Sequence, residues 1–144
     1  MKIEKMTKEH LESVYIIETE CFSHPWSKQS LENELNNDTS LFWVATENND
    51  VIGYIGMSVV IDEGYIFNVA VSETYRKKGV GSALINEIVT YGKKNNLCFI
   101  TLEVRESNIN AQSLYSKFGF IKVGERKNYY SEPKENAILL TKYF

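Results

Sequence analysis

Residues 65–82 read YIFNVAVSETYRKKGVGS, and this stretch decides the fold. Its first part, Tyr65–Val71, has the mainly apolar run of a strand that is covered on both faces. A polar loop with glycines at positions 79 and 81 follows, and Leu84 and Ile88 then recur at helical spacing. A further strand-like run, Cys98–Val104, completes a strand–helix–strand unit, in which the two strands normally run parallel. The stretch therefore predicts the central strand of a sheet and its crossover helix.

The residues before this unit predict a strand, two helices and a hairpin. A short strand is centred on Ile3, Thr7 is a suitable N-cap for a first helix, and Ser27 can cap a second, shorter helix. Runs rich in β-branched and aromatic residues at 41–46 and 51–61 flank turn residues at 47–50, which predicts an antiparallel hairpin. A second turn is predicted at 62–64, immediately before the central strand.

The residues after the unit predict one more helix and two closing strands. Ser107 or Asn108 can cap that helix, and Gly119 has the position of a glycine just beyond its end. Strands are predicted near 120–123 and 137–142. No linker or repeat divides the 144 residues, so we expect one domain, 1–144. The predicted class is α/β (α+β), with a mixed central sheet and helices on both faces.

Charge and composition argue against several classes of protein. With 16 basic and 19 acidic residues the formal charge is -3, which disfavours binding to nucleic acid through its phosphates. No segment has the length and apolar character of a signal peptide or a membrane span, so we expect a cytoplasmic protein with no membrane partner. Cys21 and Cys98 lack metal-ligand spacing, which predicts buried reduced thiols and no metal site. His10 and His24 are expected to be structural or solvated.

The loop Arg76-Lys77-Lys78-Gly79-Val80-Gly81 joins the predicted central strand to the N-terminus of a helix. Free main-chain N–H groups and the positive end of the helix dipole make such a junction an anion site, and glycines let a phosphate approach the backbone. Neither a Walker loop nor a dinucleotide fingerprint fits, because the latter needs a third glycine where this chain has Leu84. A purely structural role of the glycines in the turn stays open.

The pattern Arg76-x-x-Gly79-x-Gly81 matches the acyl-CoA pyrophosphate-binding signature of the GNAT superfamily. Further on, LEVRESN at 102–108, Leu-Tyr at 114–115 and RKNYY at 126–130 resemble the ribosomal-protein-alanine N-acetyltransferases of that superfamily. The resemblance covers nearly the whole chain. It implies the GNAT fold, acetyl-CoA as the acetyl donor, and the N-terminal segment of a ribosomal protein as the partner that receives the acetyl group.

The resemblance also implies which residues bind the coenzyme. Main-chain N–H groups of the central strand would pair with the pantetheine arm and polarise the reacting carbonyl, while the glycine loop would hold the pyrophosphate. The implied coenzyme-binding residues are Val69, Ala70, Val71, Arg76, Lys77, Lys78, Gly79, Val80, Gly81, Ser82 and Asn108. For Asn108, which precedes a predicted helix, a simple N-cap is an equally open interpretation.

Glu103 is the candidate general base. Strand alternation places its side chain on the face opposite to that of Leu102 and Val104. An α-amine has a pKa of about 7.7 to 8.0, so a carboxylate acting through water removes only a weakly held proton from it. A solvated carboxylate, or one paired with Arg105, is the structural alternative, and it is the family resemblance that favours catalysis.

Tyr115 is the candidate proton donor to the departing thiolate. This role is implied by its place in the family pattern, since a phenol can serve as a general acid. Its spacing with Ala111 and Phe118 on one helical face is also that of a core aromatic residue. From the residues alone, packing is the simpler interpretation.

On the acceptor side, we expect Asp62, Glu63 and Glu103 to form an acidic mouth that favours a peptide with a basic residue after its first position. Tyr129 and Tyr130 are expected to wall the peptide slot. Two alternatives stay open. An acetyltransferase for lysine side chains or a small amine would share the coenzyme half of the site, whereas a non-catalytic acyl-CoA-binding module would have no need of a base or a proton donor.

Overall fold

The computed structural model describes all 144 residues and contains one seven-stranded mixed sheet. The strand order is β1-β2-β3-β4-β5-β7-β6, so β4 lies at the centre, as predicted. Only β4 and β5 are parallel, and the other neighbours are antiparallel. In chain order the strands are β1 Lys2–Lys5, β2 Ser40–Glu47, β3 Asp50–Val60, β4 Glu63–Val71, β5 Phe99–Arg105, β6 Ile121–Tyr130 and β7 Glu135–Tyr143.

Helices cover both faces of the sheet, as predicted. They are α1 Leu11–Cys21, α2 Lys28–Leu35, α3 Val80–Lys94 and α4 Ile109–Lys117, with short 3-10 turns at Lys8–His10 and Glu73–Tyr75. On one face, Val14 of α1 and Leu31 of α2 belong to a buried cluster with Tyr54 of β3. On the other face, Leu84 of α3 and Tyr115 of α4 belong to a larger cluster that includes both central strands.

Two of the three predicted helix starts are confirmed, whereas Thr7 precedes only the 3-10 turn Lys8–His10 and α1 itself begins after His10. The Ser27 hydroxyl accepts the Ser30 N–H at 3.1 Å, and the Asn108 side chain accepts the Ala111 N–H at 3.2 Å. Gly119 has φ +89° immediately after α4, a backbone conformation that glycine adopts without strain. Local side-chain chemistry therefore fixes where α2 and α4 begin and where α4 ends.

The central strands β4 and β5 pair only at one end. Their register covers Glu63 to Tyr65 against Phe99 to Thr101, and no pairing follows. In β4 the register with β3 shifts between Asn68 and Ile66, which leaves Phe67 as the extra residue of a bulge. A bulge bends its strand and increases its twist. The two strands consequently separate from residue 66 onward and open a gap in the middle of the sheet.

Three predictions of local structure were wrong. Strand β4 begins at Glu63, two residues earlier than predicted, so the turn is confined to residues 61 and 62. Strand β6 extends to Tyr130, because its polar residues pair along β7 through the main chain and need no buried face. Cys98 is exposed rather than buried, since it follows α3 at the surface, where its thiol donates to Asp62 at 2.8 Å. No helix is long and apolar enough to cross a membrane.

Candidate active site

A cavity of about 820 Å³ opens where β4 and β5 separate. Five parts of the chain wall it: the end of α1 with residues 22–26, the bulged part of β4, the last residues of β5, the first turns of α4, and the connection between β6 and β7. Glu103, Tyr115, Asn108, Tyr129 and Tyr130 all line this one cavity. The structure thus brings both candidate catalytic residues together with Asn108 and the two tyrosines, whereas residues 76–82 of the glycine loop do not line this cavity.

Glu103 lies on the face of β5 that looks away from α3. The burial of β5 alternates as predicted, with Leu102 and Val104 buried and Glu103 partly exposed. Its carboxylate accepts a hydrogen bond from the Arg126 guanidinium of β6 at 3.2 Å, and its side chain is 32% exposed. Arg105, the partner considered from the sequence, instead pairs with Glu135 at 3.2 Å. Glu103 is therefore held by one cation while it stays accessible from the cavity.

Tyr115 packs as a core aromatic residue and also lines the cavity. Its ring is 5% exposed and packs edge-on against Phe120 at a centroid distance of 5.4 Å. Its hydroxyl makes no hydrogen bond within the protein, yet no fully buried side-chain polar atom lacks a partner, so the hydroxyl must reach the open cavity. Burial, with a smaller contribution from Tyr130, raises the pKa of the Tyr115 phenol well above its ordinary value. The phenol is therefore protonated at neutral pH.

The glycine loop presents a row of free donors. None of the main-chain N–H groups of residues 77–82 finds an acceptor in the protein, and Gly79 precedes α3 with no side-chain cap. Gly79 has φ +86°, which a residue with a side chain rarely adopts. A Cβ at Gly81 would lie 3.1 Å from Leu114, so this glycine permits close packing of α3 on α4. Gly79 therefore permits the backbone conformation of the loop, and Gly81 permits the close contact between α3 and α4.

The side chains around that loop differ in what they contact. Arg76 folds back to donate to the Val71 carbonyl at 3.1 Å and to the Cys21 sulfur at 3.3 Å, so it braces the loop instead of projecting into it. The Lys78 ammonium lies 5.5 Å from the ring of Tyr75. No polar partner holds the side chain of Lys77 or Ser82. The loop therefore offers main-chain N–H donors and, in addition, the positive charges of Lys77 and Lys78.

Three further residues of the predicted coenzyme site belong to the central strand. Val69 lines the cavity, whereas Ala70 is buried against α1 and contributes through its main chain alone. The carbonyl of Val71 is already occupied by Arg76. Because β4 has no β5 partner beyond Tyr65, the other main-chain groups of residues 66–71 that point towards β5 are free to pair with an extended ligand. Val80, the first residue of α3, is buried beneath the loop.

Aromatic and charged groups hold the cavity wall where β6 connects to β7. Tyr129 and Tyr130 meet edge-on at 5.0 Å, and the Arg105 guanidinium lies 4.4 Å from the Tyr130 ring. Arg105 also donates to the main-chain carbonyls of Ser131 and Pro133 and so fixes the connection between β6 and β7. Burial, followed by the charge of Glu103, raises the pKa of Tyr130 to about 12. A neutral phenol therefore faces the carboxylate of Glu103.

The expected acidic mouth is not assembled. Glu63 lies at the paired end of β4, opposite Phe99, and accepts a hydrogen bond from Tyr65 rather than lining the cavity. Glu103 is four residues further along β5, which is roughly 13 Å at the rise of a strand. The carboxylate of Asp62 accepts a hydrogen bond from the thiol of Cys98. The expectation rested on the placement of charges and on the family resemblance, and the direction of the strands separates these carboxylates.

Sequence reasoning missed Glu18, a buried carboxylate that lines the same cavity. It follows Val14 by four residues on the buried face of α1, so a charge on an otherwise apolar helical face was the signal that could have revealed it. Trp26 and Phe67, which also line the cavity and pack with rings 5.5 Å apart, were missed too. No group of three or more His, Cys, Asp or Glu side chains is placed to hold a metal ion.

The parted central strands and the uncapped start of α3 together offer main-chain donors to an extended, anionic ligand. Residues 11–120 match the Acetyltransferase (GNAT) family, and the chain belongs to that family. The expected fold class is thereby confirmed.

Among its relatives is the [ribosomal protein bS18]-alanine N-acetyltransferase of Haemophilus influenzae, 38% identical over 92% of this chain and 91% of that protein. The crystal structure of the ribosomal-protein-S18-alanine N-acetyltransferase from Escherichia coli superposes with a TM-score of 0.92 at 30% identity, covering 99% of this chain and 92% of that one. Arabidopsis thaliana NAA60 in complex with acetyl-CoA shares the fold, with a TM-score of 0.90 at 22% identity over 99% of both chains.

Proposed function

We propose that this protein transfers the acetyl group of acetyl-CoA to the N-terminal α-amine of a ribosomal protein, with alanine as the first residue. The observation that carries the proposal is the placement of Glu103 and Tyr115 on one cavity beside the free edge of β4. A purely acyl-CoA-binding module would need neither group. The similarity to bS18-alanine N-acetyltransferases over nearly the whole chain supports the α-amine of alanine as the acceptor.

The residues present fit the coenzyme. The unpaired N–H groups of residues 77–82 suit a pyrophosphate, and the free main-chain edge of β4 suits an amide-containing arm laid along it. When bound there, acetyl-CoA supplies the acetyl thioester. The side-chain oxygen of Asn108 caps α4, while its amide N–H groups make no hydrogen bond within the protein. The residue also lines the cavity. It can therefore serve as a cap and a ligand at once.

Glu103 acts as the general base in this proposal. The acceptor enters as an ammonium group and must lose a proton before its nitrogen can attack the carbonyl carbon. Glu103 takes that proton, directly or through water, while Arg126 holds the carboxylate in place. A C–N bond then forms and the C–S bond breaks.

Tyr115 donates to the sulfur as that bond breaks. Its hydroxyl has no competing partner within the protein, and its raised pKa keeps the proton in place until it is needed. Burial raises the pKa of a thiol as well as that of a phenol, so a sulfur beside Tyr115 is a stronger base than it is in water. The acceptor nitrogen loses a second proton once the C–N bond has formed, and that proton, passed through water, restores the one that Tyr115 gives to the sulfur. The net reaction releases one proton, the one that Glu103 took from the ammonium group.

The test is a thiol-release assay with acetyl-CoA and two peptides. One has the N-terminal sequence of the ribosomal protein with a free α-amine, and the other has the α-amine blocked and an internal lysine retained. We expect release with the first peptide only. Equal turnover of both would favour a lysine or general amine acetyltransferase, and turnover of neither would favour the binding module.

A further inference from the structure

Glu18 of α1 has no role in the mechanism above, although it is the only charged residue among the buried residues of the chain. It is 1% exposed and lines the same cavity as Glu103 and Tyr115, which belong to β5 and α4. No lysine, arginine or histidine pairs with it. A buried carboxylate without a cation is costly unless other donors satisfy it.

Three neutral donors satisfy Glu18. One carboxylate oxygen accepts the main-chain N–H of Trp26 at 2.9 Å. The other accepts the Asn68 side-chain amide at 3.0 Å and the Tyr54 hydroxyl. Asn68 and Tyr54 also contact each other at 3.2 Å, so the group forms a closed network. Hydrogen bonds to a charged acceptor are stronger than those between neutral groups.

The three donors come from different parts of the chain. Tyr54 belongs to β3, Asn68 directly follows the bulge of β4, and Trp26 ends the segment between α1 and α2. The ring of Trp26 packs on the bulged Phe67 at 5.5 Å. Glu18 therefore ties the segment 22–26, which walls the cavity, to the point where β4 leaves β5. The glycine loop lies beyond the other end of β4 and takes no part in this network.

We propose that Glu18 is a positioning residue for the acceptor: it fixes the segment 22–26 against the β4 bulge and so sets the wall along which the incoming peptide binds. The proposal rests on the proposed function, since it assigns this wall to the acceptor rather than to the coenzyme. Substitution of Glu18 should therefore change the Michaelis constant of the peptide, whereas coenzyme binding, which depends on residues 77–82, should stay the same.

The decisive variant is Glu18→Gln, which keeps the size of the side chain. Its amide N–H₂ must face either Trp26 or the Tyr54–Asn68 pair, so that two donors oppose each other. We expect KM for the peptide to rise roughly ten-fold or more, the equivalent of one unsatisfied buried donor, while KM for acetyl-CoA changes less than about two-fold. The matched control is Glu12→Gln, the same charge change on an exposed position of α1, which should leave both constants within about two-fold.

A purely structural role would give a different result. In that case Glu18→Gln would lower the unfolding temperature but leave both Michaelis constants of the folded enzyme unchanged, or shift both equally, and either outcome overturns the proposal. If Glu18→Gln does not fold, Tyr54→Phe removes a single donor and should raise KM for the peptide about three-fold with the coenzyme constant unchanged. Unchanged peptide KM in that variant would also overturn it.

Amide hydrogen exchange separates this proposal from the proposed function, because it requires no turnover. In the wild-type protein the Trp26 N–H is held by Glu18. Glu18→Gln should speed exchange in residues 22–27 without affecting α3, whereas Glu12→Gln should change neither. If the wild-type protein acetylated none of the peptides, the proposed function would fail, and exchange would still decide whether Glu18 orders this wall. Unaltered exchange at 22–27 would reject that role.

Discussion

Replacing Tyr115 with phenylalanine should separate catalysis from stability. The Tyr115 hydroxyl makes no hydrogen bond within the protein, so its removal breaks none, while the ring keeps its contact with Phe120. We expect the free energy of unfolding to stay within about 0.5 kcal/mol of the wild-type value. If the hydroxyl delivers the proton to the departing sulfur, kcat should fall by roughly 10² to 10⁴-fold.

The matched control is Tyr54→Phe, the same chemical change at a hydroxyl that is bonded. Tyr54 is fully buried, and its hydroxyl donates to the carboxylate of Glu18. A hydrogen bond to a charged group contributes about 1.5 to 3 kcal/mol, so the variant should lose about 2 kcal/mol of stability. For a chain of this length that corresponds to roughly 6 °C in Tm. Tyr54→Phe should therefore lose more stability than Tyr115→Phe, whereas Tyr115→Phe should lose more of its kcat.

The measurements are urea unfolding for both variants and thiol release at saturating peptide and acetyl-CoA, between pH 6 and 10. Because burial raises the pKa of Tyr115, the phenol stays protonated throughout this range, and the ratio of wild-type to Tyr115→Phe rates should be constant. A ratio below about three, or one that varies strongly with pH, would refute proton donation by this residue. A large loss of stability in Tyr115→Phe would refute the view that its hydroxyl is unpaired.

Three further predictions concern the base, a strained turn and the alkaline limit of stability. Glu103→Gln should lose at least roughly 100-fold in kcat/KM at pH 7. It should regain about five- to ten-fold by pH 9, because the α-amine of the peptide then deprotonates without a base. A kcat/KM of this variant that does not change with pH would count against Glu103 as the base. Ile61 has φ +58° and is 93% exposed, so Ile61→Asn should raise the free energy of unfolding by about 1 kcal/mol in urea titrations, and no gain would show the turn to be unstrained. Folding raises the pKa of Tyr130 from 10.0 to about 12, so the folded protein keeps a proton that the unfolded chain loses above pH 10. The free energy of unfolding should therefore fall between pH 10 and 12, and it should fall less steeply in Tyr130→Phe.

The parts of the fold that could be predicted from the sequence have local causes. The apolar run that became β4, the glycine loop and the spacing of Leu84 and Ile88 led directly to the parallel unit, and Ser27 and Asn108 marked two helix starts. Each signal lies within a few residues of the structure that it specifies. The motifs around Glu103 and Tyr115 indicated the family to which the chain belongs. In the structure both side chains line the same cavity.

What could not be predicted depends on contacts between distant residues. Strand β6 continues to Tyr130 because β7 provides main-chain partners, although its own residues alternate poorly. Glu63 was expected at the site from charge placement and the family resemblance, but the parallel register puts it opposite Phe99, at the paired end of β4 and β5. The role of Glu18 depends on Trp26, Tyr54 and Asn68 at once, and no spacing along the chain reveals that.

The gap between β4 and β5 is the feature from which the rest of the site follows. Two adjacent parallel strands would ordinarily continue to pair, and leaving main-chain groups unpaired is unfavourable unless water or a ligand satisfies them. The bulge at Phe67 holds the strands apart, and its ring stacks on Phe42 at 6.0 Å. Opposite the bulge, a Cβ on Gly56 would lie within 2.8 Å of the Phe42 ring, so only glycine lets that ring support Phe67. The cavity is thus maintained by packing on one face of β4, and this is why its unpaired edge can remain available to a ligand.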